Sequence, residues 1–120
     1  MIEIKKCKYG RGIFATETIS KGTVIEETPF IKIPNRQLKA LEKTRVWLYV
    51  YELGENAALA LGMGSFFNHR RNPNVKWEIN SRKKTIKFTA LKNISKKSQL
   101  YIDYGYEPSQ FWDGLSKQKV

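Results

Sequence analysis

Two alternating segments, residues 75–80 and 85–91, constrain the fold more than any other feature of the chain. Apolar residues alternate with polar ones in both segments: Val75, Trp77 and Ile79, then Ile86, Phe88 and Ala90. A period of two puts the apolar side chains of a strand on one face. Because the polar segment SRKK separates the two runs, the pattern predicts an antiparallel hairpin with one buried face.

The rest of the chain is typical of further short strands joined by glycine turns. Residues 2–5, 13–19 and 100–104 have extended patterns, and TVIEE and FIKI, residues 23–27 and 30–33, predict two more strands. The segment KYGRG, residues 8–12, predicts a tight loop, since glycine tolerates a positive φ and lets the backbone approach a partner closely. The fold class is therefore mainly β.

Residues 37–53 are the one candidate helix. Leu38, Leu41 and the leucine-rich end favour a helix closed by Gly54, and we predict one here. The run VWLYVY within the segment is β-branched and aromatic, which is equally typical of a strand.

Length and composition exclude several classes of protein. The chain has 120 residues, which fits a single domain over 1–120. One Cys (Cys7) and one His (His69) exclude a disulfide framework and a Cys-rich zinc site, so we expect no metal. No apolar run approaches the ~20 residues of a membrane helix, and the N-terminus lacks the apolar core of a signal peptide. We therefore expect an intracellular protein that does not enter a membrane.

The net charge of +11 is compatible with two interpretations. It suggests an acidic partner such as nucleic acid. It is equally consistent with a well-solvated lysine-rich surface, because the lysines are spread along the chain rather than gathered in one block.

Four local features could carry chemistry, and each also has a purely structural interpretation. YGRGIFA (residues 9–15) is a Gly-x-Gly loop able to cradle a ligand, or a plain turn. NHRRNPN (68–74) offers directional hydrogen-bonding groups, or forms a loop. LYIDYGYE (100–107) places two Tyr around a glycine, for catalysis or for packing. The remaining aromatics suit a lysine stem or the core: Trp47, Tyr49, Tyr51, Phe66, Phe67, Phe111 and Trp112.

The order of these features resembles the SET-domain protein lysine methyltransferases. A glycine loop near the start is followed by Asn-His-x-x-x-Pro-Asn, then by Asp-Tyr-Gly-Tyr and an aromatic tail. The resemblance extends from about Tyr9 to Trp112. The compact length is most similar to the minimal viral SET enzymes that act on a histone H3 lysine, and to short bacterial SET proteins.

The resemblance implies a fold and a cofactor. The fold is the β-clip, a set of small curved sheets with a short helix and a C-terminal pseudoknot in which NHRRNPN meets LYIDYGY. Residues 107–120 would form a short tail like the post-SET module of the family. The cofactor would be S-adenosyl-L-methionine, held by the family positions Gly10, Arg11, Gly12, Asn68 and His69, with Phe111 and Trp112 closing over its adenine.

The family reaction transfers methyl groups to a lysine side chain of a protein such as a histone. Tyr104 matches the catalytic Tyr, Tyr49 matches a second channel Tyr, and Tyr106 would line the same lysine channel. Ile102 occupies the position where the family often carries Phe or Tyr. Because Ile has no hydroxyl to restrain the amine, we expect the channel to admit a second methyl group and a third.

Two departures from the family pattern are visible. Arg70 replaces the usual Ser after Asn-His, and Ser98-Gln99 replaces a usual Glu-Glu. The first would alter cofactor contacts, and the second would affect a structural bond. Neither removes a residue with a direct chemical role, so we expect an active enzyme.

Other classes of function and several partners stay open at the sequence level. One alternative is a catalytically silent SET-like module that binds a peptide or nucleic acid, and another is a basic β-module that binds only nucleic acid. The viral enzyme that the chain resembles is a dimer, so the resemblance implies a homodimer. A bacterial cytoplasm and a host nucleus are both compatible with the chain.

Overall fold

A computed structural model describes residues 1–105 of the chain. Within these residues, nine strands form two sheets, and the single α-helix has four residues. The strands are β1 Ile2–Cys7, β2 Gly10–Ala15, β3 Val24–Ile33, β4 Val50–Leu53, β5 Asn56–Ala60, β6 Asn68–His69, β7 Val75–Asn80, β8 Thr85–Ala90 and β9 Gln99–Ile102, and the helix is α1 Leu38–Leu41. Short 3₁₀ turns cover Asn35–Gln37, Arg45–Tyr49 and Met63–Phe66. The predicted mainly β class is confirmed.

The first sheet has the strand order β1-β2-β9-β6. β1 and β2 form a hairpin in which Cys7 pairs with Gly10, so the turn is Lys8–Tyr9. The glycines of the predicted loop therefore lie at the start of β2, where Gly10 has φ +93°. This hairpin brings the glycine segment beside β9, the strand that leads to Tyr104.

The second sheet has the order β4-β5-β3-β8-β7. The predicted hairpin is confirmed as β7 and β8, with Trp77 opposite Phe88. The two strands predicted over residues 23–33 are instead one strand, β3. It pairs with β8 as far as Pro29 and with β5 from Phe30 onward. Pro29, which cannot donate a backbone hydrogen bond, thus lies where β3 changes partner.

The predicted helix over residues 37–53 is mostly wrong. Helix α1 covers only Leu38–Leu41, and the hydroxyl of Thr44 donates to the carbonyl of Leu41 just after it. Val50–Leu53 form β4, which pairs with β5 around a turn at Gly54. The β-branched and aromatic residues in this run follow strand preference once a partner strand is present.

One apolar core serves both sheets. Phe67, which precedes β6, stacks on Phe88 of β8 with ring centroids 4.4 Å apart. Both rings are fully buried, as are Ile13, Leu100 and Ile102. Each such side chain contributes roughly 1.5–3 kcal/mol by burial, so the segments that carry the candidate site are fixed directly to the core.

No helix within residues 1–105 is long and apolar enough to span a membrane.

Candidate active site

The two segments with the most distinctive motifs meet through β6 and β9. These strands are parallel, with Asn68 opposite Tyr101 and His69 opposite Ile102. The backbone N–H of Arg70 extends the pairing by donating to the carbonyl of Ile102 over 2.9 Å. The predicted contact between NHRRNPN and LYIDYGY is confirmed. Any threading of the segment after Gly105 lies outside the described residues.

The Asn68 side chain fastens this strand pair to the glycine segment. It is 5% exposed, and its Nδ2 donates to the carbonyl of Arg11 at 3.0 Å and to Oε1 of Gln99 at 2.9 Å. Cys7 Sγ lies 3.7 Å from the same Nδ2. Because both strong bonds use the amide N–H groups, the amide orientation is set and its oxygen is left to accept.

Gly12 is required for this arrangement. A Cβ built on Gly12 would lie 2.4 Å from Oε1 of Gln99 and 2.7 Å from Nδ2 of Asn68. Real Cβ atoms do not approach neighbours so closely, so a side chain at this position would displace the amide pair. β2 can therefore approach the two amides this closely only because residue 12 is glycine.

His69 supports Tyr104 from the side. The backbone N–H of Tyr104 donates to Nδ1 of His69 at 3.0 Å, and the two rings lie 5.0 Å apart. A neutral imidazole that accepts at Nδ1 carries its proton on Nε2. The Asp103 carboxylate lies 3.8 Å from Nδ1 and would form an ion pair if the ring were protonated. The same carboxylate accepts the Gly105 N–H at 2.8 Å, which shapes the turn after Tyr104.

The Tyr104 hydroxyl is fixed at its other end. It donates to the carbonyl of Phe67 at 2.6 Å, next to the Asn68–His69 strand. The phenol of Tyr104 is partly buried and packs against the core. Tyr104 is thus held at its backbone N–H by His69 and at its hydroxyl by the Phe67 carbonyl. These two bonds fix the orientation of its side chain.

Tyr49 is linked to Arg11 of the glycine segment through Phe66. Its ring meets Phe66 edge-on with centroids 5.8 Å apart, and the Arg11 guanidinium lies 4.6 Å from the Phe66 ring centre. Tyr49 and Phe66 also line an open, almost entirely apolar groove of about 590 Å³ with Val46, Leu59, Leu61 and Met63. An apolar aromatic surface of this kind suits the alkyl stem of a lysine.

Ile102 is fully buried within the core, two residues before Tyr104. Its predicted influence on the number of methyl groups stays a prediction. Three other residues predicted to belong to the site, Tyr106, Phe111 and Trp112, and the tail 107–120, lie outside the described residues.

Arg70, which stands where the family usually has Ser, lies over the ring of Tyr101. Its guanidinium lies 4.9 Å from the Tyr101 ring centre. Burial raises the pKa of the Tyr101 phenol above its ordinary value, Tyr9 adds to the rise, and Arg70 opposes it. Tyr101 therefore stays a neutral phenol at physiological pH and gives Arg70 an aromatic face on which to stack.

Sequence reasoning missed two positioning side chains. Gln99, noted only as a departure from a family Glu, is the acceptor that orients Asn68. Asn74 donates to the carbonyl of Gln99 at 3.0 Å and accepts the N–H of Tyr101 at 2.8 Å. The departure of Gln99 from the family Glu was one signal of its role, and alternation along β9, which puts Gln99 and Tyr101 on one face, is another.

The residues present fit S-adenosylmethionine. The bare backbone at Gly12 lets β2 lie directly against Asn68. The Asn68 amide oxygen can accept from an ammonium group, and Arg11 supplies a cation for a carboxylate. Within residues 1–105 no three His, Cys, Asp or Glu side chains are grouped so as to hold a metal ion.

Known proteins resemble this chain in sequence and in fold. The family model of the SET domain matches residues 10–105. A Schizosaccharomyces pombe protein named histone-lysine N-methyltransferase, H3 lysine-37 specific, is 37% identical over 101 residues, which is 82% of this chain and 68% of that protein. A crystal structure from Plasmodium falciparum of a protein considered a histone methyltransferase superposes with a TM-score of 0.66. It is 30% identical, and the match covers 89% of this chain and 99% of that one.

Proposed function

Because the chain belongs to the SET-domain family of S-adenosylmethionine-dependent protein-lysine methyltransferases, we propose that it methylates a lysine of histone H3, with Tyr104 as its catalytic residue. The relative from Schizosaccharomyces pombe is named for an H3 lysine, which supports this substrate class. The observation that carries the proposal is the double restraint of Tyr104, by His69 at its backbone and by the Phe67 carbonyl at its hydroxyl.

Each group has a defined task in this proposal. S-adenosylmethionine, when bound, supplies an electrophilic methyl group on a sulfonium. The cofactor side is formed by Gly10, Arg11, Gly12, Asn68 and His69. The lysine side is formed by Tyr49, Ile102 and Tyr104. Both sides are completed from the C-terminal segment by Tyr106, Phe111 and Trp112.

The aromatic lining would prepare the lysine. Tyr49 and Phe66 present apolar surface, and removal from water disfavours the charged form of an amine, which lowers its pKa. The Tyr104 hydroxyl would orient the neutral amine and support charge near the transferring methyl. Alignment of this kind supplies a large share of the rate of a displacement reaction.

Labelled S-adenosylmethionine tests the proposal. Recombinant protein is incubated with core histones, reconstituted nucleosomes and an H3 tail peptide, and the modified lysine is identified by mass spectrometry. The Tyr104→Phe variant should lose at least about 100-fold in kcat, since the hydroxyl acts in the transition state. Its stability should fall by only about 1 kcal/mol for the lost hydrogen bond.

Tyr9→Phe is the matched control. Tyr9 is 38% exposed and lies on the β1–β2 turn, so this variant should keep wild-type activity. Label on H3 that persists at the wild-type rate in Tyr104→Phe would contradict the assignment of Tyr104. Label on other proteins but never on H3 would contradict the assignment of the substrate.

Two further partners belong to the same proposal. A histone substrate would place the enzyme with chromatin, where its charge of +11 favours contact with nucleic acid. The homodimer implied by the viral members of the family stays a prediction, which light scattering of the purified protein would test.

A further inference from the structure

A second cavity lies at the end of the five-stranded sheet, where β3, the start of β5 and the β7–β8 turn meet. Its volume is about 560 Å³. Lys32, Lys84, Ser81 and Asn56 provide its polar groups over an apolar floor that includes Phe30 and Leu53. Among residues 1–105, no carboxylate side chain lines it. We call this cavity, together with the adjoining Arg82 and Lys83 of the turn, the basic groove.

Charge is balanced along the hairpin but not at its turn. Within β7, Lys76 donates to Glu78 at 3.0 Å, and this bond lowers the pKa of the Glu78 carboxyl. Lys87 of β8 lies between Glu78 and Glu27 in the strand register. The strands of the hairpin thus pair lysine with glutamate.

The cations of the basic groove have no such partner. Lys32, Arg82, Lys83 and Lys84 are all exposed, and within residues 1–105 none of them forms an ion pair. Two unneutralised positive charges, Lys32 and Lys84, therefore line the cavity, and Arg82 and Lys83 add two more on the adjoining turn.

The turn that carries three of these cations, Arg82, Lys83 and Lys84, is held in place by hydrogen bonds. Asn80 Oδ1 accepts the N–H groups of Arg82 at 3.1 Å and of Lys83 at 2.9 Å. The carbonyl of Lys84 accepts the N–H of Phe30 at 3.0 Å. Lys84 has φ +57°, a conformation that Gly and Asn adopt at lower cost than lysine. A long cation thus occupies a position where backbone geometry favours a small neutral residue.

The basic groove is remote from the methyl-transfer site. Asn74, at the opposite end of the β7–β8 hairpin, is bonded to Gln99 and Tyr101 beside the site. Strands of six residues span about 20 Å. A ligand in the basic groove would therefore leave the lysine channel and the cofactor side open.

We propose that the basic groove binds the sugar-phosphate backbone of duplex DNA and so holds the enzyme on chromatin while the lysine channel takes a histone tail. Clustered cations with amide and hydroxyl donors are the groups that contact phosphate oxygens. DNA bound here would offset the long-range repulsion between a +11 enzyme and a basic histone tail. This inference rests on the proposed function for its substrate, but not for the binding of DNA.

Fluorescence anisotropy with a labelled 30-base-pair duplex tests the groove directly. The test variant combines Lys32→Gln, Arg82→Gln, Lys83→Gln and Lys84→Asn, in which Asn suits the positive φ. The control variant removes the same charge elsewhere, with Lys21→Gln, Lys39→Gln, Lys92→Gln and Lys96→Gln at exposed positions. Thermal unfolding and methylation of the free H3 peptide are measured for all three proteins.

We expect the test variant to bind the duplex at least 10-fold more weakly than wild type, and the control variant less than 3-fold more weakly. The slope of log affinity against log salt concentration should become less negative by about 3 to 4 in the test variant, which is close to one unit for each lost phosphate contact. Peptide methylation should be unchanged, and nucleosome methylation should fall.

Three results would overturn the inference. These are equal losses of affinity in the two variants, no binding of duplex by the wild type at 100 mM salt, or preferred binding of single-stranded RNA or an acidic peptide at the groove. Absence of peptide and nucleosome methylation in the wild type, with duplex binding as expected, would contradict the proposed function and leave the DNA site standing.

Discussion

At the scale of single residues, the candidate site depends on how closely a backbone can approach two amides. Gly12 lies against Asn68 and Gln99, and the Asn68 amide is oriented by two acceptors. The motif positions Gly12 and Asn68 were predicted from the sequence. Their mutual contact, and Gln99 as the third member, were not, because nothing local couples residues 12, 68 and 99.

Gly12→Ala should weaken the binding of S-adenosylmethionine by about 10-fold or more while costing only about 1–3 kcal/mol of stability. The new Cβ must push aside the ends of two side chains. Isothermal titration of cofactor and chemical denaturation would measure the two effects. Gly12→Ala should cost less stability in a Gln99→Ala background than in the wild type, because the nearer clash is then absent. An equal or larger cost in that background would show that the clash is not the cause.

Ile102 gives a prediction about the product. Since its side chain carries no hydroxyl, wild-type enzyme in a long incubation should carry its lysine past the monomethyl state, as intact-mass analysis of the peptide would show. Ile102→Val should keep this pattern and lose about 0.5–1.5 kcal/mol of stability, because it removes one buried methyl group. A wild-type product that stops at monomethyl-lysine would refute the expectation.

At the scale of elements, the site depends on a two-residue parallel strand pair. β6 and β9 share few backbone bonds, and Asn74 adds two side-chain bonds to the backbone of β9. Strand β9 was predicted over residues 100–104, but β6 was not predicted as a strand, because a two-residue strand has no periodicity to detect. The length of α1 was not, because the run that follows it becomes β4 only when β5 is present to pair with it.

Asn74→Ala should destabilise the fold by about 1–3 kcal/mol, since it leaves partly buried backbone groups of β9 without their partners. Asn93→Ala is a matched control, because Asn93 accepts one backbone bond, from Lys21, at the exposed surface. The control should lose less than about 1 kcal/mol. Urea denaturation would measure both, and equal losses would show that Asn74 does not support β9.

At the scale of the whole molecule, charge and catalysis are arranged on different parts of the fold. The site lies where the first sheet meets the core, and the unneutralised cations described above lie at the far end of the second sheet. The net charge of +11 could be calculated from the sequence, but the arrangement of the charged side chains on the surface could not. Strand register decides which lysines lie opposite glutamates, as Lys87 does between Glu27 and Glu78.

Added salt should therefore change the activity of the enzyme on two substrates in opposite directions. Added salt screens the repulsion between the enzyme and a free, basic H3 peptide, so kcat/KM on the peptide should rise severalfold between about 20 and 150 mM. On nucleosomes the same change weakens attraction to DNA, so kcat/KM should fall. Initial rates on both substrates test this, and a parallel fall on both would show that the net charge does not repel the peptide.

The sequence by itself determined the strands of the β7–β8 hairpin, the positions of the glycine and Asn-His motifs, and the family that their order indicates. These features are periodicities or short motifs, and local conformational preference is sufficient to encode them. Only the tertiary structure decided the parallel register of β6 and β9, that Gln99 orients Asn68, that His69 supports Tyr104, and that two cations of one cavity lie beside two more on the adjoining turn. Each of these depends on contacts between residues far apart in the chain, which form only when the common core brings the strands together.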